Sequence, residues 1–138
     1  MEPTEAVRSL YEAYQDRDWE RARALLHEDA IVDMPATLER AADREAIIEF
    51  ERSYPEPWGT LTVHRVFGDQ EGAAAEVTVI APDGARYAFG AFWRMKDGLL
   101  HYGVEYWVTV GGELPPTERA ASPATIAARA AWEASLLN

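Results

Sequence analysis

The side chains best suited to chemistry lie near the end of the chain, in a segment that carries His101, Glu105 and Trp107. Successive side chains of a strand point to opposite faces, so these three would share one face of a strand. A carboxylate and an imidazole four residues apart lie ~13 Å from each other on a strand, which suits them to opposite ends of a small ligand. The spacing offers Glu105 as the best single candidate for a general acid or base, with His101 as the second catalytic candidate.

Aromatic neighbours should set the acidity of Glu105. The preceding segment carries Phe89 and Trp93, and Trp107 follows Glu105 by two residues. Among such rings a carboxyl group is desolvated, so we expect a raised pKa, which tunes a carboxylate for proton transfer near neutrality. The alternative is that Glu105 pairs with an arginine such as Arg65 across a sheet, or accepts hydrogen bonds from a helix, since structural ion pairs also perturb pKa values.

The histidines also have simpler interpretations. His101 follows a turn and is typical of a half-exposed strand end, His64 lies within a strand, and His27 near the end of a helix would complement the helix dipole. No histidine or carboxylate cluster has the spacing of metal ligands, and the glycines near the end of the sheet lack phosphate-loop spacing. The sequence therefore predicts no cofactor and no metal site.

Composition limits the partners that the chain can have. Its 138 residues are enough for one sizeable core, so we expect a single domain over 1–138. The 24 acidic and 13 basic side chains give a net charge of -11, which would repel nucleic acid and anionic lipid, so neither is an expected partner. The chain has no cysteine, which excludes disulfides and a thiolate nucleophile. With no signal-peptide pattern and no run of ~18 apolar residues, it is predicted to be a soluble, cytoplasmic protein.

The first half of the chain has the apolar spacing of three helices with one short strand. The helices would begin at the capping residues Thr4, Asp18 and Asp43. Residues 27–29 would close the second helix, and residues 30–34 would form a strand that ends at Pro35, because a proline cannot donate to the ladder. Pro55 and Pro57 would close the third helix.

From Thr60 onward the pattern changes to runs rich in β-branched and aromatic residues. It predicts four antiparallel strands near 60–67, 73–81, 86–95 and 99–110. Short turns such as Asp97-Gly98 join these runs, whereas a parallel crossover would need a dozen or more residues. The second half is therefore predicted to be a meander.

A helical extension, residues 117–138, follows the predicted sheet. Its main helix would run from about Pro123 to Leu137 with Ser122 as its cap. A modest apolar stripe would comprise Ile126, Ala130, Trp132, Leu136 and Leu137. This stripe would pack on its own domain, cover the mouth of a pocket as a lid, or serve as an arm on a dimer partner.

Several short runs of the chain resemble a known superfamily. They are Leu10-Tyr11-Glu12-Ala13-Tyr14, Asp18-Trp19, Leu25-Leu26, Asp29-Ala30, Met34-Pro35, Ala46-Ile47-Ile48-Glu49-Phe50, Lys96-Asp97-Gly98-Leu99 and Glu105-Tyr106-Trp107. In this order, over roughly residues 5–110, they resemble the SnoaL-like and ketosteroid-isomerase-like branches of the nuclear transport factor 2-like superfamily. The resemblance implies an α+β fold in which a cone-shaped, curved antiparallel sheet packs on three N-terminal helices around an apolar pocket, here with an extra C-terminal helix. It leaves the function open, because this fold carries enzymes, accessory subunits and binders.

The resemblance also locates the catalytic set of the ketosteroid isomerases, which this chain lacks. The positions of the base, the tyrosine and the second acid fall on Met34, Leu10 and Ala91. None of these side chains can transfer a proton, so we reject that mechanism for this chain. Tyr11 and Asp33 are the neighbours of Leu10 and Met34 in the chain. A shift of the correspondence by one residue would let them supply part of the catalytic set, although Asp33 is expected to point outward.

The pocket lining is likewise implied by the resemblance. A pocket histidine of the SnoaL-like cyclases falls on Gly103, which implies that His101, Glu105 and Trp107 point inward. The candidate ligand-binding residues are Tyr14, Met34, Phe50, Tyr87, Phe89, Trp93 and Trp107. Our leading hypothesis is that a small apolar molecule binds there and is transformed by cofactor-free acid/base chemistry of the isomerase, cyclase, dehydratase or epoxide hydrolase type. The alternative is a non-catalytic binder or an accessory subunit.

The opposite face of the sheet is predicted to be apolar too. It would carry Thr78, Ile80, Phe92, Val104 and Tyr106. Such a patch would be exposed on a monomer, so we expect a homodimer through this face.

Overall fold

The computed structural model describes residues 1–55 and 58–135. Its helices are α1 (Pro3–Gln15), α2 (Trp19–Leu25), α3 (Arg44–Arg52), α4 (Thr117–Ala120) and α5 (Pro123–Ser135). Its strands are β1 (Leu26–Met34), β2 (Glu39–Ala42), β3 (Thr60–Gly68), β4 (Gly72–Ile80), β5 (Arg86–Lys96) and β6 (Leu99–Thr109). The strands form a curved six-stranded sheet on which helices pack, and the predicted α+β class is confirmed.

The sheet is mixed rather than wholly antiparallel. Its strand order is β2-β1-β6-β5-β4-β3, in which β1 and β6 are parallel and the other neighbours antiparallel. The predicted meander of β3 to β6 is confirmed, and each strand bound lies within one residue of the prediction. Sequence patterns missed β2, a short strand that pairs with β1 as a hairpin. They also missed the pairing of β1 with β6, because no turn signal links strands so far apart in the chain.

Strand β1 begins earlier than predicted. Residues 27–29 do not close α2 but continue an extended segment that starts at Leu26. Leu26 is fully buried and pairs with Leu100 of β6. The tertiary contact with β6 therefore decides the conformation of a segment whose local pattern suggested a helix end.

The helix starts agree with the predicted caps at two of three positions. A carboxylate oxygen of Asp18 accepts a hydrogen bond from the backbone amide of Arg21 at 3.1 Å, and Asp43 accepts one from Ala46 at 2.9 Å. The predicted cap at Thr4 is wrong, because α1 already begins at Pro3, whose fixed φ suits the first helical position. Helix α3 ends at Arg52, and the prediction for Pro57 lies outside the described residues.

Helix α1 forms the centre of the core. Its buried side chains include Val7 and Leu10, and it packs across β3 and β4 of the sheet. Strand β4 presents the small side chains Ala73 and Ala75 on its buried face, which lets the helix approach the sheet closely. The remaining buried apolar side chains of α2, α3 and β6 join the same cluster.

Helix α5 has no buried residue among those described. Its predicted cap is present, because the Ser122 hydroxyl accepts a hydrogen bond from the backbone amide of Thr125 at 3.1 Å. Ile126 and Trp132 of the predicted stripe are exposed, whereas Leu136 and Leu137 lie outside the described residues. Within the described part of the chain, no helix is both long enough and apolar enough to cross a membrane.

Candidate functional site

A cavity of about 650 Å³ lies between the helices and the inner face of the sheet. Tyr11 and Tyr14, one helical turn apart on α1, line it from one direction, and Glu51 lines it from the last turn of α3. Strand β6 contributes Glu105 and Trp107, which are two residues apart and share the inner face. The volume is in the range of pockets that enclose a small organic ligand.

Glu105 is held in this cavity by two neutral donors. The Tyr11 hydroxyl donates to Oε2 of Glu105 at 2.7 Å, and the indole Nε1 of Trp107 donates to Oε1 at 3.0 Å. Only 3% of Glu105 is exposed. The alternative of an ion pair with Arg65 is wrong, because Arg65 bonds Glu76 at 2.6 Å on the surface.

Trp93 supports the carboxylate indirectly. Its Nε1 donates to the Tyr11 hydroxyl oxygen at 2.9 Å, so Tyr11 relays this bond to Glu105. The Trp93 indole lies directly over Gly103, where an added Cβ would stand only 2.6 Å from Cε2 of the ring. Trp93 was predicted to bind ligand, but the structure places it behind Tyr11 rather than among the residues that line the cavity.

Burial and hydrogen bonding act in opposite directions on Glu105. Burial raises the pKa of Glu105, while the hydrogen bonds from Trp107 and Tyr11 favour the charged form and partly offset that rise. Burial, followed by the negative charge of Glu105, holds the pKa of Tyr11 well above its usual value. Tyr11 therefore keeps its proton and donates it in the hydrogen bond to Glu105.

Glu51 is a second carboxyl group of the cavity, and our sequence analysis did not identify it. Burial and then the charge of Glu105 hold the pKa of Glu51 well above its ordinary value, and the positive charge of Arg17 opposes this rise. The signal was present in the sequence, because Glu51 follows the buried Ile47 by four residues and Ile48 by three. Those spacings place it on the inner face of α3.

His101 lies away from the cavity. A β-bulge between Arg94 and Met95 shifts the pairing of β5 with β6, so the fully buried inward residue beyond Gly103 is Leu100. The prediction that His101 shares the inward face of Glu105 was wrong, because strict alternation ends at the bulge. The His101 ring instead packs edge-on against His27 with 5.0 Å between ring centroids.

The other predicted ligand-binding residues border the cavity. They are Tyr14, Met34, Phe50, Tyr87, Phe89 and Trp107. The rings of Phe89 and Trp107 stack with 4.2 Å between their centroids, which makes a flat apolar wall beside Glu105. The lining residues that the prediction missed include Tyr54, Trp58 and Leu61, which follow or flank the end of α3.

Asp33 points outward, as predicted. Its carboxylate accepts hydrogen bonds from Arg40 Nε at 2.6 Å and from the Tyr102 hydroxyl at 2.8 Å on the outer side of the sheet. The hydrogen bonds from Arg40 and Tyr102 lower the pKa of Asp33. Leu10 and Met34, on which two of the isomerase positions were expected to fall, carry no titratable group, whereas Tyr11 next to Leu10 lines the cavity.

Helices packed on a curved sheet around a cavity define the fold class of this protein. Comparison with known families identifies the family. The family model for the SnoaL-like domain matches residues 7–102. This chain therefore belongs to the SnoaL-like domain family, within the nuclear transport factor 2-like superfamily.

Solved structures place the chain among relatives of similar size. A candidate ketosteroid isomerase from Kribbella flavida DSM 17836 is 30% identical, with a TM-score of 0.75 and 87% of each chain covered. An NTF2-like protein of unknown function from Burkholderia xenovorans LB400 is 19% identical, with a TM-score of 0.70 and coverage of 84% of this chain and 88% of that one. An LEH-like epoxide hydrolase from M. tuberculosis is 18% identical, with a TM-score of 0.66 and coverage of 77% and 82%. The Burkholderia xenovorans and M. tuberculosis structures show that the fold is shared. Comparison with curated proteins gives no match.

Proposed function

We propose that this protein binds a small apolar molecule in the cavity and transforms it by acid–base catalysis without a cofactor. The observation that carries the proposal is the Glu105 carboxylate, buried among aromatic rings and held by Tyr11 and Trp107. Isomerisation, cyclisation, dehydration and epoxide opening all require a proton to be taken from or given to an apolar substrate. A carboxylate with a raised pKa in an apolar cavity suits that step.

Glu105 and Glu51 have different roles in this proposal. Glu105 ionises first, because its charged form accepts two hydrogen bonds, and its charge then keeps the proton on Glu51. Two carboxyl groups whose environments separate their pKa values can serve as base and acid in one site. Glu105 is therefore assigned as the catalytic base and Glu51 as the catalytic acid, while Tyr11 is a positioning residue that orients Glu105.

The family relatives support a reaction of this type without specifying it. The Kribbella flavida relative is described as a candidate ketosteroid isomerase, and the M. tuberculosis neighbour as an epoxide hydrolase. The ketosteroid isomerase set is vacant at Met34, Leu10 and Ala91, so an isomerase reaction here would use Glu105 on β6 instead. The expected substrate has an apolar body in either case, because aromatic and aliphatic side chains together dominate the lining.

A non-catalytic binder is the second candidate, and one observation favours it. Both oxygens of Glu105 already accept hydrogen bonds from the protein itself. A carboxylate held in this way could have the structural role of joining β6 to α1. In a non-catalytic binder, ligand affinity would come from burial of apolar area.

Proton exchange with solvent separates these two candidates. A panel of apolar ketones, enones and epoxides is incubated with the protein in D₂O, and deuterium incorporation or product formation is followed by mass spectrometry and NMR. Acid–base catalysis predicts exchange or turnover of at least one compound by the native chain, with loss of that signal in Glu105→Gln. Binding without exchange across compounds that saturate the cavity would favour the binder.

We also propose that the protein forms a homodimer through the outer face of the sheet. Phe92 and Tyr106 on that face are 53% and 54% exposed, and their rings contact each other with 5.8 Å between centroids. Val104 lies on the same face and Ile80 is exposed at the end of β4. Burial of these apolar side chains against a second copy would remove them from water.

A further inference from the structure

The charged side chains that line the cavity are all acidic. They are Glu39, Glu51 and Glu105, and the described residues of the lining include no lysine, arginine or histidine. Glu39 is exposed, whereas Glu105 is buried. A ligand that enters this cavity therefore meets negative charge and ring faces, and an anionic group on the ligand would be repelled.

The negative charge of Glu105 has neutral hydrogen-bond partners. Tyr11 and Trp107 stabilise it by donating hydrogen bonds, but neither carries a positive charge. Arg17 is a cation near this region, since it lies over the ring of Trp58 at 4.7 Å and its charge opposes the rise in the pKa of Glu51. Its effect on Glu51 is smaller than the opposing effects of burial and of Glu105.

The two carboxyl groups oppose each other's ionisation, because the charge of Glu105 raises the pKa of Glu51. Glu105 is the member whose charged form is favoured by hydrogen bonds, which it accepts from Tyr11 and Trp107. The tyrosines around the pair stay neutral too, because burial raises the pKa values of Tyr14 and Tyr54. The described residues of the cavity lining thus supply acidic side chains and no basic one, in an apolar surrounding.

Aromatic rings line the same cavity as Glu105. Trp107 and Phe89 form a stacked wall, and Trp58 and Tyr54 pack edge-on with 5.5 Å between centroids near the end of α3. The face of an aromatic ring carries partial negative charge and attracts cations within about 6 Å of its centroid. Acidic groups combined with ring faces are the arrangement that recognises organic ammonium ions.

We propose that the ligand of this cavity is an apolar molecule that carries one positively charged nitrogen. Its apolar body would pack on the rings, and its single positive charge would balance that of Glu105. A nearby cation also favours the ionised form of Glu105, which keeps this residue available as a base. This inference rests on the proposed function, since it names the substrate class for the same site.

Three probes of matched shape and different charge test the inference. They are a 2-naphthylmethyl group attached to trimethylammonium, to the neutral tert-butyl group and to sulfonate. Their dissociation constants for the full chain are measured at pH 7.5 by quenching of tryptophan fluorescence. We expect the cation to bind at least about tenfold more tightly than the neutral probe, and the sulfonate to bind most weakly.

Two variants assign the preference to Glu105. In Glu105→Gln the ratio of cation to neutral affinity should fall to below about threefold, because the balancing charge is gone and only the ring faces still favour the cation. Glu71→Gln removes one charge from the exposed turn before β4 and should keep the native ratio. Should Glu105→Gln fail to fold, the native chain supplies a second readout. As pH falls and Glu105 gains a proton, the affinity ratio should fall while binding of the neutral probe is unchanged.

Three results would overturn the inference. The neutral probe or the sulfonate binds as tightly as the cation, the preference is undiminished in Glu105→Gln, or none of the probes binds. The first two leave the proposed function intact if exchange in D₂O still depends on Glu105. A cation preference without any exchange would retain the inference and remove catalysis, so the two proposals can fail separately.

Discussion

Replacement of Tyr11 by phenylalanine tests the hydrogen-bond chain that holds Glu105. The change removes only the hydroxyl, which donates to Glu105 at 2.7 Å and accepts from Trp93 Nε1 at 2.9 Å. A hydrogen bond to a charged group contributes about 1.5 to 3 kcal/mol, and a buried donor without a partner costs about 1 to 3 kcal/mol. Phenylalanine also removes the cost of burying the hydroxyl itself, so we expect a net loss of about 2 to 4 kcal/mol.

The free energy of unfolding from urea denaturation at pH 7 measures this loss. Tyr106→Phe is the matched control, because it removes only a hydroxyl and keeps the half-exposed ring that the proposed dimer would bury, and its change should stay within about 0.5 kcal/mol. In Tyr11→Phe the pKa of Glu105 should rise further, since one of the bonds that favour its charged form is lost. A stability change no larger than that of Tyr106→Phe would refute the assigned role of Tyr11.

Three further predictions follow from the same contacts. Gly103→Ala should lower the free energy of unfolding in urea by about 1 to 3 kcal/mol, because its Cβ would overlap the Trp93 ring. Gly90→Ala is the control and should change this free energy little, because a Cβ there would only contact Phe92 at 3.4 Å. The raised pKa of Glu51 means that the folded state holds a proton that the unfolded state releases, so the free energy of unfolding should fall as pH rises from about 4.5. In urea denaturation at several pH values, Glu51→Gln should remove this part of the pH dependence. Phe92→Glu should convert a dimer to a 15.4 kDa monomer in sedimentation equilibrium, and a native chain that is already monomeric at micromolar concentration would contradict the dimer.

The sheet was the part of the fold that local patterns predicted well. Strands β3 to β6 follow one another through short turns, so alternation and turn residues determine them locally. The pairing of β1 with β6 is different, because it depends on the burial of Leu26 against Leu100 across most of the chain. No local signal encodes such a contact, and the same limit explains the misplaced end of α2.

The site was predicted in outline, with errors where periodicity is interrupted. Glu105 and Trp107 share an inward face as alternation requires, but the bulge opposite Met95 turns His101 away. Glu51 was overlooked because a carboxylate on an amphipathic helix is usually solvated, although its spacing from Ile47 indicated the inner face. The Tyr11 hydroxyl of α1 donates to Glu105, which agrees with the alternative that Glu105 accepts hydrogen bonds from a helix, although neither segment alone identified Tyr11 as the donor.

The central claim is that Glu105 acts as the catalytic base, and its most direct test is kcat/KM of Glu105→Gln on the first compound that the native chain turns over. The proposed role predicts a decrease of about 10² to 10⁴, with the dissociation constant of the neutral naphthyl probe changed by less than about threefold. Glutamine keeps the size of the side chain, so the cavity should retain its shape while the titratable group is lost. Native kcat/KM in a folded Glu105→Gln protein would contradict the claim.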